Sequence, residues 1–376
     1  MMEFDGTPFL YNVMVLLAVT VAVQLFYWLR YYLRAVRSCG INVPESHREP
    51  VSVVICARNE AENLRANLPA VLRQNHPRFE VVVVNDNSED DSDIVLSQLK
   101  NEYPHLKIST INIDHRFRHN KKLAQVIGVK AASNEILLMT DADCIPVSDE
   151  WLTLMTLPLT RGSEIVLGYG GYSRARGLLN RFIRYESMFI AMQYSGMALR
   201  GVPYMGVGRN LAYRKELFLS NNGFSTHYHM DSGDDDLFVN ANATATNTSV
   251  VLSRNAHTRS VAAGTLREFI RQKKRHLTTA ARYNTDDKIR LTIEPLSRMA
   301  MYISAIVLLS SMFLWQLVVP LTAVPLIVRL MIVARAGKKF DEPGIVPPAL
   351  FFDFFSPVIN SLLYIGNFSR KPGRKI

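Results

Sequence analysis

The stretch Ile136-Leu137-Leu138-Met139-Thr140-Asp141-Ala142-Asp143 decides how this chain folds. Its apolar run has the character of a strand buried on both faces, and it ends without a spacer in two aspartates one residue apart. Working outward, Val51–Cys56 (VSVVIC) and Phe79–Val84 (FEVVVV) carry the same strand signal, and Lys107–Ile113 is a further candidate. Helical spacing fills the gaps: Asn59–Leu72, with Leu64, Leu68 and Leu72 on one stripe, then Ser92–Leu99 and Lys122–Ala132. Strands alternating with helices predict an α/β domain with a parallel sheet wound on both sides. Ligands of such sheets bind at the carboxyl ends of the strands.

Polar residues fall at those ends. Arg58-Asn59-Glu60 follows the first strand, Asn85-Asp86-Asn87-Ser88 the second, and Asp141-Ala142-Asp143 the fourth. A single aspartate after a strand is ordinarily a cap or turn residue, but acids at three strand ends share one rim. No GxGxxG follows the first strand and no GxxxxGK[ST] occurs, which excludes dinucleotide-binding and Walker-type sites. Two carboxylates so spaced can share a hard cation, Mg²⁺ or Mn²⁺, and such ions bridge to substrate phosphates. Acids without a phosphate loop therefore imply a nucleotide diphosphate held through metal. Further on, Ser232-Gly233-Asp234-Asp235-Asp236 packs like charges together, which raises at least one pKa and suits a general base. A solvated acidic turn or additional metal ligands would give the same run.

Outside Pro50–Pro295 the pattern changes. The 376 residues are 48% apolar and 20% charged, which excludes intrinsic disorder. Lys and Arg exceed Asp and Glu by 43 − 33 = +10, an excess suited to a phosphate-bearing substrate, a lipid headgroup surface or nucleic acid. The basic residues gather at apolar segments and no aromatic stacking platform accompanies them, so nucleic acid is the poorest of these. Cys39, Cys56 and Cys144 lie far apart without a CxxC, which fits a reduced compartment better than a disulfide framework or zinc knuckle.

From Phe9 to Leu29 only Asn12, Thr20 and Gln24 are strongly polar, enough for one membrane span. Glu3 and Asp5 precede it where a signal peptide would be basic, and Arg30, Arg34 and Arg37 follow, so an uncleaved anchor with its N-terminus outside is expected. Met299–Ala334 is too long for one span and predicts a hairpin turning near Trp315–Pro325, with both ends cytoplasmic. Arg329 within it must snorkel or face protein. Pro347–Phe368 precedes Arg370, Lys371, Arg374 and Lys375, which a full span would place outside; an interfacial or re-entrant helix is expected instead. The expected organisation is an anchor at 1–38, the α/β domain at 50–295, the hairpin at 299–336 and an interfacial segment with a basic tail at 337–376. The basic run Arg271-Gln272-Lys273-Lys274-Arg275-His276 reads by itself as a helix drawn to anionic lipid.

In this order the motifs resemble those of the family 2 glycosyltransferases, inverting enzymes with the GT-A fold, over roughly Val51–His276. The flanking membrane segments resemble the polysaccharide synthase and ceramide-glucosyltransferase-like branch. The N-E motif is Asn59-Glu60, and the resemblance places Glu60 among donor-binding residues. Val83-Val84-Asn85-Asp86-Asn87-Ser88 stands for V-V-D-D-x-S and implies that Asp86 meets the base or ribose. Lys121, Ala124 and Gly128 keep part of G-K-x-x-A-L-N-x-G, with Asn120 for the first glycine and Lys121 toward the diphosphate. The D-x-D motif is Asp141 and Asp143, implying Mg²⁺ or Mn²⁺ and diphosphate. Gly206–Tyr213 with Asn222-Gly223-Phe224 resembles the acceptor-side stretch. Asp234-Asp235 stands for E-D, implying Asp235 as base beside Asp234. Gln272 and Arg275 keep Q-x-x-R-W, with His276 in place of tryptophan, beside the diphosphate and the acceptor entry.

The resemblance implies attack by an acceptor hydroxyl on the sugar carbon of a UDP-sugar, with inversion, at the cytoplasmic face of the cell membrane. Anchors at both ends suggest an acceptor that is a lipid or lipid-linked glycan. A processive polysaccharide synthase of the same fold is the nearest alternative, but it needs enough helices for a channel. A catalytically silent sugar-nucleotide-binding protein is the alternative from another class; the retained Asp143 and Asp235 speak against it.

Overall fold

The computed structural model describes residues 7–38, 49–112, 120–230 and 232–368. Glu3, Asp5, Cys39, Ile113 and the basic tail Arg370, Lys371, Arg374 and Lys375 lie outside the described residues.

The apolar runs form the centre of a seven-stranded sheet. β1 (Val51–Ala57), β2 (Phe79–Asp86), β3 (Leu106–Ile111) and β4 (Ile136–Asp141) are mutually parallel in the order β3-β2-β1-β4. Each strand end lies within two residues of its expected limit. Alternation along them splits the core between two faces, because successive side chains of a strand point to opposite sides. Val54, Val82, Val84, Leu137 and Met139 pack on one face, and Val53, Ile55, Val81, Val83 and Leu138 on the other. The helix Lys121–Ala131 lies against β1 and β2 through Gly128, where a Cβ would collide with Val54.

Beyond β4 the sheet changes direction. Leu211–Arg214 pairs antiparallel with β4, and Ile165–Leu167 and Thr248–Val250 extend the edge. A second, three-stranded sheet joins Ile145–Pro146, Thr258–Ser260 and Gly170–Tyr172 beside the carboxyl end of β4. The helix Leu178–Ala198 then carries the core to the apolar helices. Its Phe189 meets Trp28 and Tyr32 of the N-terminal helix, and its Phe182 meets Phe352 near the other end of the chain.

Among the described residues, four helices are long and apolar enough to cross a membrane: Thr7–Arg37, Thr285–Ser310, Trp315–Lys339 and Ala349–Gly366. Two expectations shift. The hairpin turns at Ser311–Leu314, where Met312 and Leu314 adopt positive φ, rather than at Trp315–Pro325. Pro320 and Pro325 lie inside the second helix, a placement that membrane helices tolerate because neighbours resatisfy the freed backbone. Its partner helix begins at Thr285 and runs through Pro295, so the α/β domain gives way to helix about ten residues before the expected boundary.

Arg329 faces protein. It is 1% exposed and pairs with Asp353 of the last helix, while its other nitrogen donates to Gln24 Oε1 of the first at 2.5 Å. Arg298 completes the cluster, 2.8 Å from Asp353 and 3.0 Å from Glu294. Charges this deep require partners of opposite sign. One cluster thereby ties all four apolar helices together.

Candidate active site

β1, β2 and β4 end level: Cys56 lies opposite Asp141, and Ala57 opposite Asn85. The loops that follow are stitched to one another. Asn59 N–H donates to Ser88 Oγ at 2.9 Å, and Glu89 N–H donates to Asn59 Oδ1 at 2.8 Å. Asn59 and Asn87 hold left-handed φ of 56° and 49°, a conformation asparagine accepts more readily than most residues. Asp86 is buried at the end of β2. Glu60 Oε2 accepts from Asn63 at 2.5 Å; burial, and then Asp143 and Asp141, push its carboxyl up.

The rim of β4 holds the expected acid pair. Ser260 Oγ donates to Asp143 Oδ2 at 2.7 Å, fixing that carboxylate from the second sheet. One oxygen each from Asp141 and Asp143 and the Cys144 sulfur lie within 4.8 Å of one another. Burial and both aspartates push the Cys144 thiol up, and sulfur is a softer donor than the two carboxylates that a hard cation prefers. A positive group already tests the position: Lys121 Nζ stands 2.7 Å from Asp141 Oδ1 and 3.0 Å from Asp234 Oδ2. The site fits an oxygen-seeking divalent cation.

The three consecutive acids take three different roles in the geometry. Asp234, ion-paired with Lys121, also accepts from Gln125 Nε2 at 3.2 Å. Burial would raise its pKa, but Lys121 outweighs it and holds the carboxyl down to about 2. Asp236 accepts from Thr279 and, at 2.7 Å, from Tyr283, so it is committed to anchoring the helix it begins. Asp235 accepts backbone N–H bonds from Gly208 at 2.7 Å and from Asp236 at 2.8 Å. Burial, then Asp234 and Asp236, push it up to about 7.

The motif helices arrive by separate routes. Asn120, the glycine substitute, caps the helix by accepting from Leu123 N–H at 3.0 Å and donates to Tyr228 O at 3.2 Å. Asn210 of the acceptor-side stretch is fully buried, accepting from Trp151 and donating to Tyr169 O and Ala256 O; it is a scaffold hub, and its neighbour Gly208 supplies the N–H to Asp235. Gln272 reaches Tyr172 Oη at 3.3 Å, and Arg209 lies over the Tyr172 ring at 4.3 Å. Arg275, three residues on in the same helix, helps hold the Asp234 carboxyl down.

Among the residues of this arrangement that the sequence reading passes over, two support the acids directly or through the chain ahead of them. Ser260 is one. Lys122 is the other: it is 2% exposed and its Nζ donates to the carbonyls of His227, Met230 and Ser232 at 2.9, 2.9 and 2.6 Å. It thereby fixes the chain just ahead of Asp234. Its signal was a charge on the buried stripe Lys122, Gln125 and Val129, which demands a polar partner.

A family model described as Glycosyl transferase family 2 matches residues 52–219, which span β1–β4 and the D-x-D rim. Residues 52–219 match a family 2 glycosyltransferase domain. The chain is 34% identical over 122 residues to Glycosyltransferase AglE of Haloferax volcanii, covering 32% of this chain and 36% of that one. It is 26% identical over 172 residues to Probable glycosyltransferase YdaM of Bacillus subtilis, covering 44% and 41%. These alignments span well under half the length of the curated relatives. Among solved structures, the mannosyltransferase PcManGT from Pyrobaculum calidifontis, in complex with GDP-Man and Mn²⁺, superimposes with a TM-score of 0.61 at 16% identity. That likeness covers 95% of this chain and 98% of PcManGT, so the glycosyltransferase domain shares its fold.

Proposed function

We propose that the chain transfers a sugar from a nucleotide-diphosphate donor to a hydroxyl of a lipid or lipid-linked glycan, with inversion. The observation that carries this reading is Lys121 standing between Asp141 on the D-x-D rim and Asp234, which directly precedes Asp235. Asp86, at the end of β2, receives the base or ribose; Glu60 lines the same rim. Asp141 and Asp143 hold the divalent cation, Mg²⁺ or Mn²⁺, which when bound offsets negative charge on the departing diphosphate. Lys121 and Arg275 add positive charge on that side, and Gln272, in the same helix as Arg275, reaches Tyr172 Oη. Asp235 accepts the acceptor's hydroxyl proton; at about 7 its pKa is matched to that task near neutrality. Asp234 stays ionised beside it, fixed by Lys121, and acts through the charge it places on its neighbour.

The apolar helices support an acceptor that lives in the membrane, since they tie directly to the helix Leu178–Ala198 under the site. Basic residues at the domain-side ends, Arg30, Arg34 and Arg37 with Arg335, Lys338 and Lys339, support a cytoplasmic catalytic domain. Asp353, Ser356 and Asn360 face protein while Phe351, Leu362 and Ile365 are exposed, which supports an interfacial or re-entrant placement of the last helix.

The test uses purified full-length protein in detergent with Mg²⁺ or Mn²⁺, a panel of UDP- and GDP-sugars, and a membrane lipid extract as acceptor. Cation-dependent release of nucleoside diphosphate together with a glycosylated lipid by mass spectrometry is expected. No release from any donor would overturn the proposal.

A further inference from the structure

We infer that Glu186 is a positioning residue that seats the helix bearing Gln272 and Arg275 against the last apolar helix. This rests on the glycosyl-transfer reading above for its kinetic consequence, though not for its structural one.

Glu186 lies in the middle of the helix Leu178–Ala198 and its side chain is 6% exposed. Both of its carboxylate oxygens receive Lys273 Nζ, at 3.1 and 3.0 Å. Lys273 follows Gln272 directly and precedes Arg275 by two residues in the helix Leu266–Leu277. From the other side, Ser356 Oγ and Asn360 Nδ2 of the helix Ala349–Phe368 donate to Glu186 Oε1 at 3.4 and 3.2 Å. One carboxylate therefore joins three helices, of which one carries Gln272 and Arg275 and one is apolar enough to sit in a bilayer.

The rest of the Gln272 helix gives it few alternatives. Phe269 is its only buried residue, packed with Tyr172 and Ile183 beside the partly buried Ile270. Packing confined to Phe269 and Ile270 in its first half, with one hydrogen bond from Gln272 to Tyr172 at 3.3 Å, fixes the helix poorly about its own axis. A buried two-oxygen ion pair next to Gln272 supplies the missing rotational restraint, because a charge pair shielded from water is both strong and directional. Arg275 lies two residues beyond this pin, so its aim follows from it. The inference connects the seating of a lipid-facing helix to the placement of positive charge beside the leaving diphosphate.

Glu186→Gln keeps hydrogen bonding to Ser356 and Asn360 but removes the charge that holds Lys273. It is expected to lower kcat about tenfold while leaving the donor KM within about twofold, since small misplacement of an aligned group costs mainly rate. In an Arg275→Ala background the same substitution should add almost nothing, because the group it aims is gone. The charge-swapped pair Glu186→Lys with Lys273→Glu should recover most of the loss. Hydrogen–deuterium exchange of the full chain in detergent reads the seating without activity: amides of Leu266–Leu277 should exchange faster in Glu186→Gln. If Glu186→Gln fails to fold, Lys273→Met serves in its place with the same expected results.

Equal and additive losses in the wild-type and Arg275→Ala backgrounds would show a merely structural role and overturn the inference. So would unchanged exchange in Leu266–Leu277. A wild-type protein inactive on every donor would instead strike the proposed function, leaving the exchange result to decide the seating.

Discussion

Lys121 donates to Asp141 across 2.7 Å, and the same ammonium reaches Asp234, so one cation links the D-x-D rim to the acids beyond the sheet. Burial works against its charge, but Asp141, Asp234 and Asp235 outweigh that penalty and raise its pKa. It is also a group that lowers the pKa of Asp235. Removing it as Lys121→Met should move the acidic limb of the pH–rate profile upward by about one unit. Profiles of kcat/KM for the two proteins between pH 5 and about pH 9 check this. An unshifted limb would disconnect Lys121 from the base.

For the wild type, the sign follows from the form that reacts. Asp235 must be deprotonated to accept a proton, and it is held up to about 7 by burial and by Asp234 and Asp236. Activity should therefore fall below about pH 7 and level off above it. Asp235→Asn should lower kcat by about a hundredfold or more with nucleotide binding retained. Comparable loss of nucleotide binding would argue for a donor-site role instead.

Asp143 is fixed by Ser260, which gives the cation site a support from the second sheet. Asp143→Asn should weaken Mn²⁺ binding strongly, and Ser260→Ala should weaken it about tenfold, the usual effect of losing a group that orients a ligand. Isothermal titration with Mn²⁺ and UDP or GDP reads both. Chelation with EDTA should abolish nucleotide release, and added Mn²⁺ or Mg²⁺ should restore it.

Lys122 bonds three carbonyls from a buried position. Lys122→Met keeps the length of the side chain but strands those oxygens, at a cost of about 2 kcal/mol or more. A lower thermal midpoint in detergent and a lower kcat are expected together, because the segment it holds leads into Asp234. A stable, fully active variant would mean the carbonyls find other partners.

Asp353 meets both Arg298 and Arg329 among the apolar helices. Asp353→Asn would leave two buried guanidinium groups against one remaining acid, Glu294, and should destabilise the helix bundle by about 3 kcal/mol. Denaturant unfolding in micelles, followed by Trp fluorescence, measures it. An unchanged midpoint would show that water or detergent reaches the cluster.

The sequence by itself determined the α/β sheet, the order of its parallel strands' motifs and the apolar helices. These are local properties: VSVVIC, FEVVVV and ILLMT have the apolar character of a strand buried on both faces, and a turn of acids directly after such a strand stands at its carboxyl end. It also marked Asp234-Asp235-Asp236 as a run in which like charges raise at least one pKa, and the family resemblance singled out Asp235 within it. Tertiary structure alone decided which acid keeps its proton, because Asp234 and Asp236 are distinguished by Lys121 on one side and Thr279 and Tyr283 on the other, groups 113, 43 and 47 residues away in sequence. It likewise decided that Arg329 faces Asp353 and that the hairpin turns before Pro320, since a proline's tolerance in a helix depends on the neighbours that resatisfy its backbone. Charge pairing acts through space at a few ångströms, and only the folded chain fixes which residues share that space.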